Sequence, residues 1–306
     1  MSDTQIPRFR LEGPADIAQF VPYLIGFTPE ESLVIVVMDD NQVQVTARAD
    51  LAEVRQRGAV EDLLDRIWAR FPTADAMLIA YTQHLEEGLA LLERSADHLP
   101  VAVLRQTMLV NQDTWRLPDG THGRLNPSSR ITAEAADHGL RKFTRRADLE
   151  GSFASAPDSP ELAKAVRAAL SDLPRHRDLP TLLEHTRDLL SRNLSTRAPF
   201  GSGRPSVMMS TADAVQLAHL VKDRHARDLA LASITKASAP RHLALWSEVL
   251  NRTPSSLAEV PAVIAGMAAW VAGAGASANI ALTRAQAAAT RLRASYTLSL
   301  HDALPI

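Results

Sequence analysis

The chain has 306 residues, 46% hydrophobic and 22% charged, which is enough apolar material for a sizeable core and for two average domains. Its 33 Lys and Arg against 35 Asp and Glu leave a net charge of -2, without the basic footprint of a dedicated nucleic-acid binder. There is no cysteine, which excludes disulfides, thiolate catalysis and cysteine-based zinc sites.

Residues 1–10 are polar and lack the apolar centre of a signal peptide, so a cytoplasmic location is expected. Residues 15–27 are apolar on one side and lead into Thr28-Pro29-Glu30-Glu31. Thr28 is expected to cap a short turn, with Pro29 at the first helical position and Glu31 closing a capping box. The β-branched run over 32–38 predicts a strand buried on both faces. Asp39-Asp40-Asn41 supplies turn chemistry, and the alternation over 42–49 predicts a half-exposed partner strand, giving a hairpin. Asp50-Leu51-Ala52-Glu53 reads as a second capping box, opening a helix to about Phe71 with Val60, Leu63, Leu64, Ile67 and Trp68 on one stripe. A strand over 76–81, a helix over 86–98 and a strand over 101–110 follow. Their alternation argues for a mixed, partly parallel sheet with helices packed on it.

Residues 111–130 read as loop and 132–138 as a short helix ending at Gly139. An α/β domain is therefore expected over 1–150 and a small, polar linker over 151–160. An all-helical domain is expected over 161–295, with Ser210 capping one of its helices through Asp213. Residues 260–283 carry no charge and could span a bilayer by length alone. They are mostly Ala and Gly and are interrupted by Pro261, Asn279 and Gly273-Ala274-Gly275, so two small-residue helices packed across a tight turn are expected, with no membrane span. Residues 296–306 resemble a translated sequencing adapter, with 299–306 the diagnostic stretch, and are set aside from fold reasoning as an expected artefact.

Four sets of residues carry a family resemblance. The first is Gly13-Pro14-Ala15-Asp16 through Pro22-Tyr23-Leu24-Ile25-Gly26-Phe27-Thr28-Pro29-Glu30-Glu31-Ser32-Leu33-Val34. Thr46-Ala47-Arg48-Ala49-Asp50-Leu51 and Ala226-Arg227-Asp228-Leu229-Ala230-Leu231 are the next two. Trp246 and Pro254, with Ala269-Trp270, Gly273-Ala274-Gly275 and Ala278-Asn279-Ile280-Ala281-Leu282, complete the pattern. Together they resemble the domain of unknown function 4192 family, uncharacterised proteins typical of actinobacteria. The resemblance implies no established reaction. Members often carry a cysteine-containing loop near residues 115–127, which this chain lacks.

Among candidate site residues, Asp50 stands where a strand ends and a helix begins, the place where ligands gather in α/β sheets. Arg48, two residues earlier, shares its sheet face. The pair can orient a polar ligand, or can serve as a helix cap with a structural ion pair. Asp39 and Asp40 are better read as turn residues than as a carboxylate pair. Phe27 and Tyr23 read as core rather than as a stacking platform. His219 and His225 lie six apart, off a shared helical face, and there is neither a His-Glu-x-x-His motif nor a Gly-x-Ser-x-Gly elbow. Gly201-Ser202-Gly203-Arg204 lacks the ending of a phosphate loop and reads as a linker. Arg141-Lys142 with Arg145-Arg146, and Arg175-His176-Arg177, read as solvated basic clusters.

No cofactor and no metal are expected. The leading expectation is a cytoplasmic, non-catalytic binding or regulatory module with an unknown protein or small-molecule partner; nucleic acid and membrane are not expected partners. The alternative is a hydrolase or nucleotide-processing enzyme using Asp50, Arg48 and the loop after Val110 at the strand ends, an analogy from α/β architecture.

Overall fold

A computed structural model describes residues 9–40, 42–138, 140, 142–174, 178–201 and 207–302, with side chains as far as residue 291. The chain divides into two compact units, one over Gln5–Arg146 and the other chiefly over Ala147–Ile306.

The first unit opens with α1 (Pro14–Ile25), which has proline at its first position and ends at Gly26 in the left-handed conformation, φ 93°. Then come β1 (Ser32–Asp39), β2 (Gln42–Asp50), α2 (Leu51–Val54), α3 (Ala59–Trp68), β3 (Asp75–Tyr81), α4 (Leu85–His98), β4 (Leu104–Asn111), β5 (Thr114–Arg116), β6 (His122–Arg124) and α5 (Arg130–Asp137). The strands form one sheet in the order β2-β1-β3-β4-β5-β6. The pair β3 and β4 is parallel, joined through α4, and every other neighbouring pair is antiparallel. This is the mixed, partly parallel sheet that the alternation of elements predicts.

β1 is a central strand, and Leu33 through Val37 are all buried. Leu33, Ile35 and Val37 join Leu78, Ala80, Leu109 and the helical residues Val60, Leu64, Leu91 and Leu92 in one core. Val34 and Val36 point to the other face, as do their register partners Ile79 and Met77. There Tyr81 donates its hydroxyl to the Ala18 carbonyl of α1 at 3.2 Å. The hydrophobic run is continuous because both faces are covered.

Three local expectations are corrected. The helix after Asp50 does not run unbroken to Phe71. It stops at Val54 and restarts after Gly58, whose φ of 82° suits only glycine comfortably. Residues 28–31 form no helical turn; Phe27 bridges Phe143, Thr28 N donates to the Phe143 carbonyl at 3.1 Å, and Glu31 turns through the left-handed region at φ 40°. Residues 111–130 are not all loop, for β5 and β6 form a short hairpin there. The expected cap Gly139 lies outside the described residues.

α6 (Arg146–Gly151) carries the chain into the second unit. The extended stretch that follows is bonded to the helical unit. Ser152 O accepts from Ser247 Oγ at 2.5 Å and from Asn251 Nδ2 at 2.7 Å, and Ala156 N donates to Thr253 O at 2.9 Å. Helices α7 (Pro160–Ser171), α8 (Leu179–Ser195), α9 (Thr211–Leu220), α10 (Arg224–Ala232), α11 (Ala239–Arg252), α12 (Glu259–Val271) and α13 (Gly275–Asp302) complete it. Ser159, Asp178, Ser210 and Asp223 each accept a first-turn amide with the side chain, so α7 to α10 start where the cap residues dictate. Ser210 does so from Asp213 N, as its spacing predicts. α11 supplies the centre of the unit through Trp246, Leu245, Val249 and Leu250, all buried.

The uncharged segment forms α12 and the start of α13, turned at Gly273 with φ 77°. A Cβ on Gly266 would stand 2.9 Å from Leu282 Cγ, so the two helices approach closely because one residue lacks a side chain. Among the described residues no helix is long and apolar enough to cross a membrane.

Candidate functional site

The strand-end residues singled out in the sequence do meet. Asp50 pairs with Ser32 and Arg48 with Val34 across the hairpin, which sets Arg48, Asp50 and Ser32 on one face. Arg48 Nη2 donates to Asp50 Oδ1 at 2.5 Å, and Arg48 Nε donates to Ser32 Oγ at 2.9 Å. Ser32 Oγ donates in turn to the Glu30 carbonyl at 2.5 Å. The second Asp50 oxygen accepts from Arg146 Nη1 at 3.4 Å. The Arg48 guanidinium carbon lies 5.9 Å from the centre of the buried Phe27 ring.

Asp50 occupies the position before α2 with cap-like backbone angles, φ -69° and ψ 137°, yet its side chain caps nothing. Two guanidinium groups outcompete the first-turn amides for its oxygens, since a charge-assisted bond is stronger than a neutral one. The capping-box reading of Asp50 is therefore corrected, while the ion-pair reading describes the contact observed. Chemically the cluster is closed. The Ser32 proton is committed to a carbonyl and no base touches the hydroxyl, so the serine is not activated.

A second set of contacts stands beside it. The Glu31 carboxylate accepts from Thr82 Oγ1 at 2.9 Å and from Gln83 N at 3.2 Å, while its own carbonyl accepts from Leu51 N at 2.9 Å. Glu31 thus reaches across to the end of β3 and closes no capping box. Sequence reasoning missed Ser32, Thr82 and Arg146 as members of this edge. The signal available was the register of the hairpin, which sets residues 32 and 50 opposite one another.

Asp39 ends β1 and Asp40 sits at φ 49°, both exposed, as turn residues are; Asn41 lies outside the described residues. Lys142 stands 5.3 Å from the Tyr23 ring centre, and burial holds its pKa below the ordinary lysine value. Arg141, Arg175, His176, Arg177 and the loop residues Ser202, Gly203 and Arg204 lie outside the described residues. Among the described residues no group of three His, Asp or Glu side chains is placed to share a metal ion.

Two cavities lie away from this edge, within the helical unit. One is lined by Arg197, Met208, Glu248, Asn251 and Arg252, and the other includes Phe153, Asp158, Arg284 and Arg291. The helical unit also exposes apolar side chains in register. Val263, Met267 and Trp270 of α12 stand at spacings of four and three residues, the repeat of one helical face, and Trp270 is 71% exposed.

A family model described as Domain of unknown function (DUF4192) matches residues 14–299. No curated protein and no solved structure matches the chain.

Proposed function

The chain belongs to the DUF4192 family, and we propose that it works as a non-catalytic binding or regulatory module whose helical unit meets a protein partner. The observation that carries this reading is the stripe Val263, Met267 and Trp270 on α12. A large aromatic left in water at the end of an apolar helix stripe is the kind of residue that anchors protein interfaces. The stripe falls within residues 260–283, which carry no lysine or arginine. Anionic lipid and nucleic acid are both recruited by basic side chains, so a neutral protein surface is the partner that fits.

The enzyme reading draws less support. Its best residues, Arg48 and Asp50, spend their polar atoms on Ser32, Arg146 and each other. A cytoplasmic location accords with a chain free of cysteine.

Affinity capture from the host with wild-type protein and with Trp270→Glu tests the reading. The expected result is a protein recovered in stoichiometric amount by the wild type and lost by the variant, with the circular dichroism of the two unchanged. The complex is then rebuilt from purified components. Equal capture by both would remove the stripe from any interface, and turnover of a co-purifying metabolite would overturn the non-catalytic reading.

A further inference from the structure

Two residues past the end of α8, Arg197 turns its side chain into the helical unit, where only 3% of it is exposed. Its Nη1 donates to Glu248 Oε2 on α11. Glu248 Oε1 accepts from Arg252 Nε at 2.9 Å and from Met209 N at 2.8 Å. One carboxylate therefore holds two guanidinium groups, and among the described residues a single positive charge is left uncompensated.

The remaining donors of Arg197 are the telling ones. Its Nε and Nη2 are buried and have no hydrogen-bond partner among the described residues. These two nitrogens share one edge of the planar group, and their N–H bonds run parallel at the spacing of the two oxygens of a carboxylate. Sealing a charged two-donor fork from water without an acceptor is costly, and structures retain such a group where something engages it.

Arg197 is among the residues that line a cavity of about 470 Å³, with Met208, Glu248, Asn251 and Arg252. That volume lies within the range of small-molecule sites, roughly 300–1,000 Å³. Asn251 spends its amide nitrogen on Ser152 O and Ser247 O, so its amide oxygen is left to accept a donor. Met208 is 76% exposed and forms an apolar rim.

We propose that this cavity binds a small organic monocarboxylate, with the carboxylate on the Nε and Nη2 edge of Arg197, Arg252 beside it and the carbon chain against Met208. The single surplus charge selects a monoanion over the phosphate dianion. The site is independent of the α12 stripe and stands or falls without it.

Sodium hexanoate, inorganic phosphate and hexylamine, titrated separately into the full chain at fixed ionic strength, test the proposal by saturation-transfer NMR and calorimetry. Hexanoate is expected to bind saturably and at least about tenfold more tightly than phosphate, and hexylamine not at all. Arg197→Gln should abolish hexanoate binding. Should that variant fail to fold, Arg252→Gln, altered nearer the surface, should fold and bind about tenfold more weakly, the loss of one charge-assisted contact. Absence of saturable hexanoate binding to folded wild type up to roughly 10 mM would overturn the site, since weaker affinity is not specific recognition. So would phosphate binding more tightly than hexanoate, or hexanoate binding unchanged in folded Arg252→Gln.

Discussion

The Glu31 carboxylate accepts the Thr82 hydroxyl at 2.9 Å through both of its oxygens, from a backbone held at φ 40°. A side chain-bearing residue stays in the left-handed region only where its surroundings fix it. Here they do so from two sides, through its carboxylate and through its carbonyl. Thr82 Oγ1 also accepts from His84 N at 3.0 Å, and the Glu31 carbonyl accepts from Leu51 N. The segment before β1, the helix after β2 and the loop after β3 are tied at one residue. Thr82→Val keeps the shape and removes the hydroxyl, and should cost about 0.5–1.5 kcal/mol, the net worth of a hydrogen bond, since Glu31 and His84 are exposed and water can replace the hydroxyl. Urea denaturation reads it as a lower midpoint at unchanged slope. A variant as stable as the parent would show that these bonds add nothing.

The Arg48 cluster predicts an asymmetry between its two charged members. The Arg48 side chain is 14% exposed and serves Ser32, Asp50 and the Phe27 ring, whereas Asp50 is 41% exposed. Arg48→Ala should cost about 1–3 kcal/mol, because buried Ser32 loses its donor and Phe27 its covering group. Asp50→Ala should cost no more than about 1 kcal/mol, since solvent screens the pair from that side. Arg48→Lys should rescue little, as one ammonium cannot serve two acceptors with the geometry of a fork. Chemical denaturation of the three variants side by side decides it. Equal losses for Arg48→Ala and Asp50→Ala would contradict the asymmetry.

What could be read from the sequence follows from how local each cause is. Leu33 to Val37 announces itself because a strand covered on both faces needs no alternation. Ser210 announces itself because its partner, Asp213 N, is three residues away. Asp50 misleads for the opposite reason. Its competing partner Arg146 is 96 residues distant, and nothing in the local pattern reveals it. Glu31 misleads likewise, since Thr82 lies 51 residues on. β5 and β6 are three residues each, too short for an alternating pattern to register. Gly58 was a legible break in the helix, for a glycine inside a helical stripe signals an end or a turn. Arg197 carries no sequence signal at all. Its burial and its free edge exist only once α8 and α11 are packed.

Two glycines in helices test close packing with opposite expected signs. A Cβ on Gly88 of α4 would fall 2.6 Å from Leu109 Cδ1 and 2.7 Å from Thr82 Cγ2, and both neighbours are buried. Neither can retreat, so Gly88→Ala should destabilise by about 1–3 kcal/mol despite the better helix propensity of alanine. On α12, a Cβ on Gly266 would press only on the side chain of Leu282, which is 44% exposed and free to change rotamer. Gly266→Ala should therefore be neutral or stabilising by up to about 1 kcal/mol, the propensity difference. Thermal melts of the two variants measure the contrast, and similar losses in both would refute it.

His242 predicts how stability depends on pH. It is buried in α11, its Nδ1 has no partner, and its Nε2 stands 3.5 Å from Ser233 Oγ. Burial pushes its pKa below the ordinary value, against a smaller opposing pull from Ser233. The unfolded chain, with a histidine pKa of about 6.5, therefore binds the proton more readily than the folded one. Stability rises with pH wherever the unfolded state holds more protons, so this contribution is complete above about pH 6.5 and is lost as pH falls below it, down through the folded pKa. His219, lowered by burial and by Lys222, adds in the same direction. Urea midpoints should fall from about pH 7 towards pH 5.5, a range above the ordinary carboxylate values. His242→Leu, similar in bulk and unable to titrate, should flatten most of that slope and leave the residue due to His219. A slope unchanged in the variant would show that His242 does not carry this dependence.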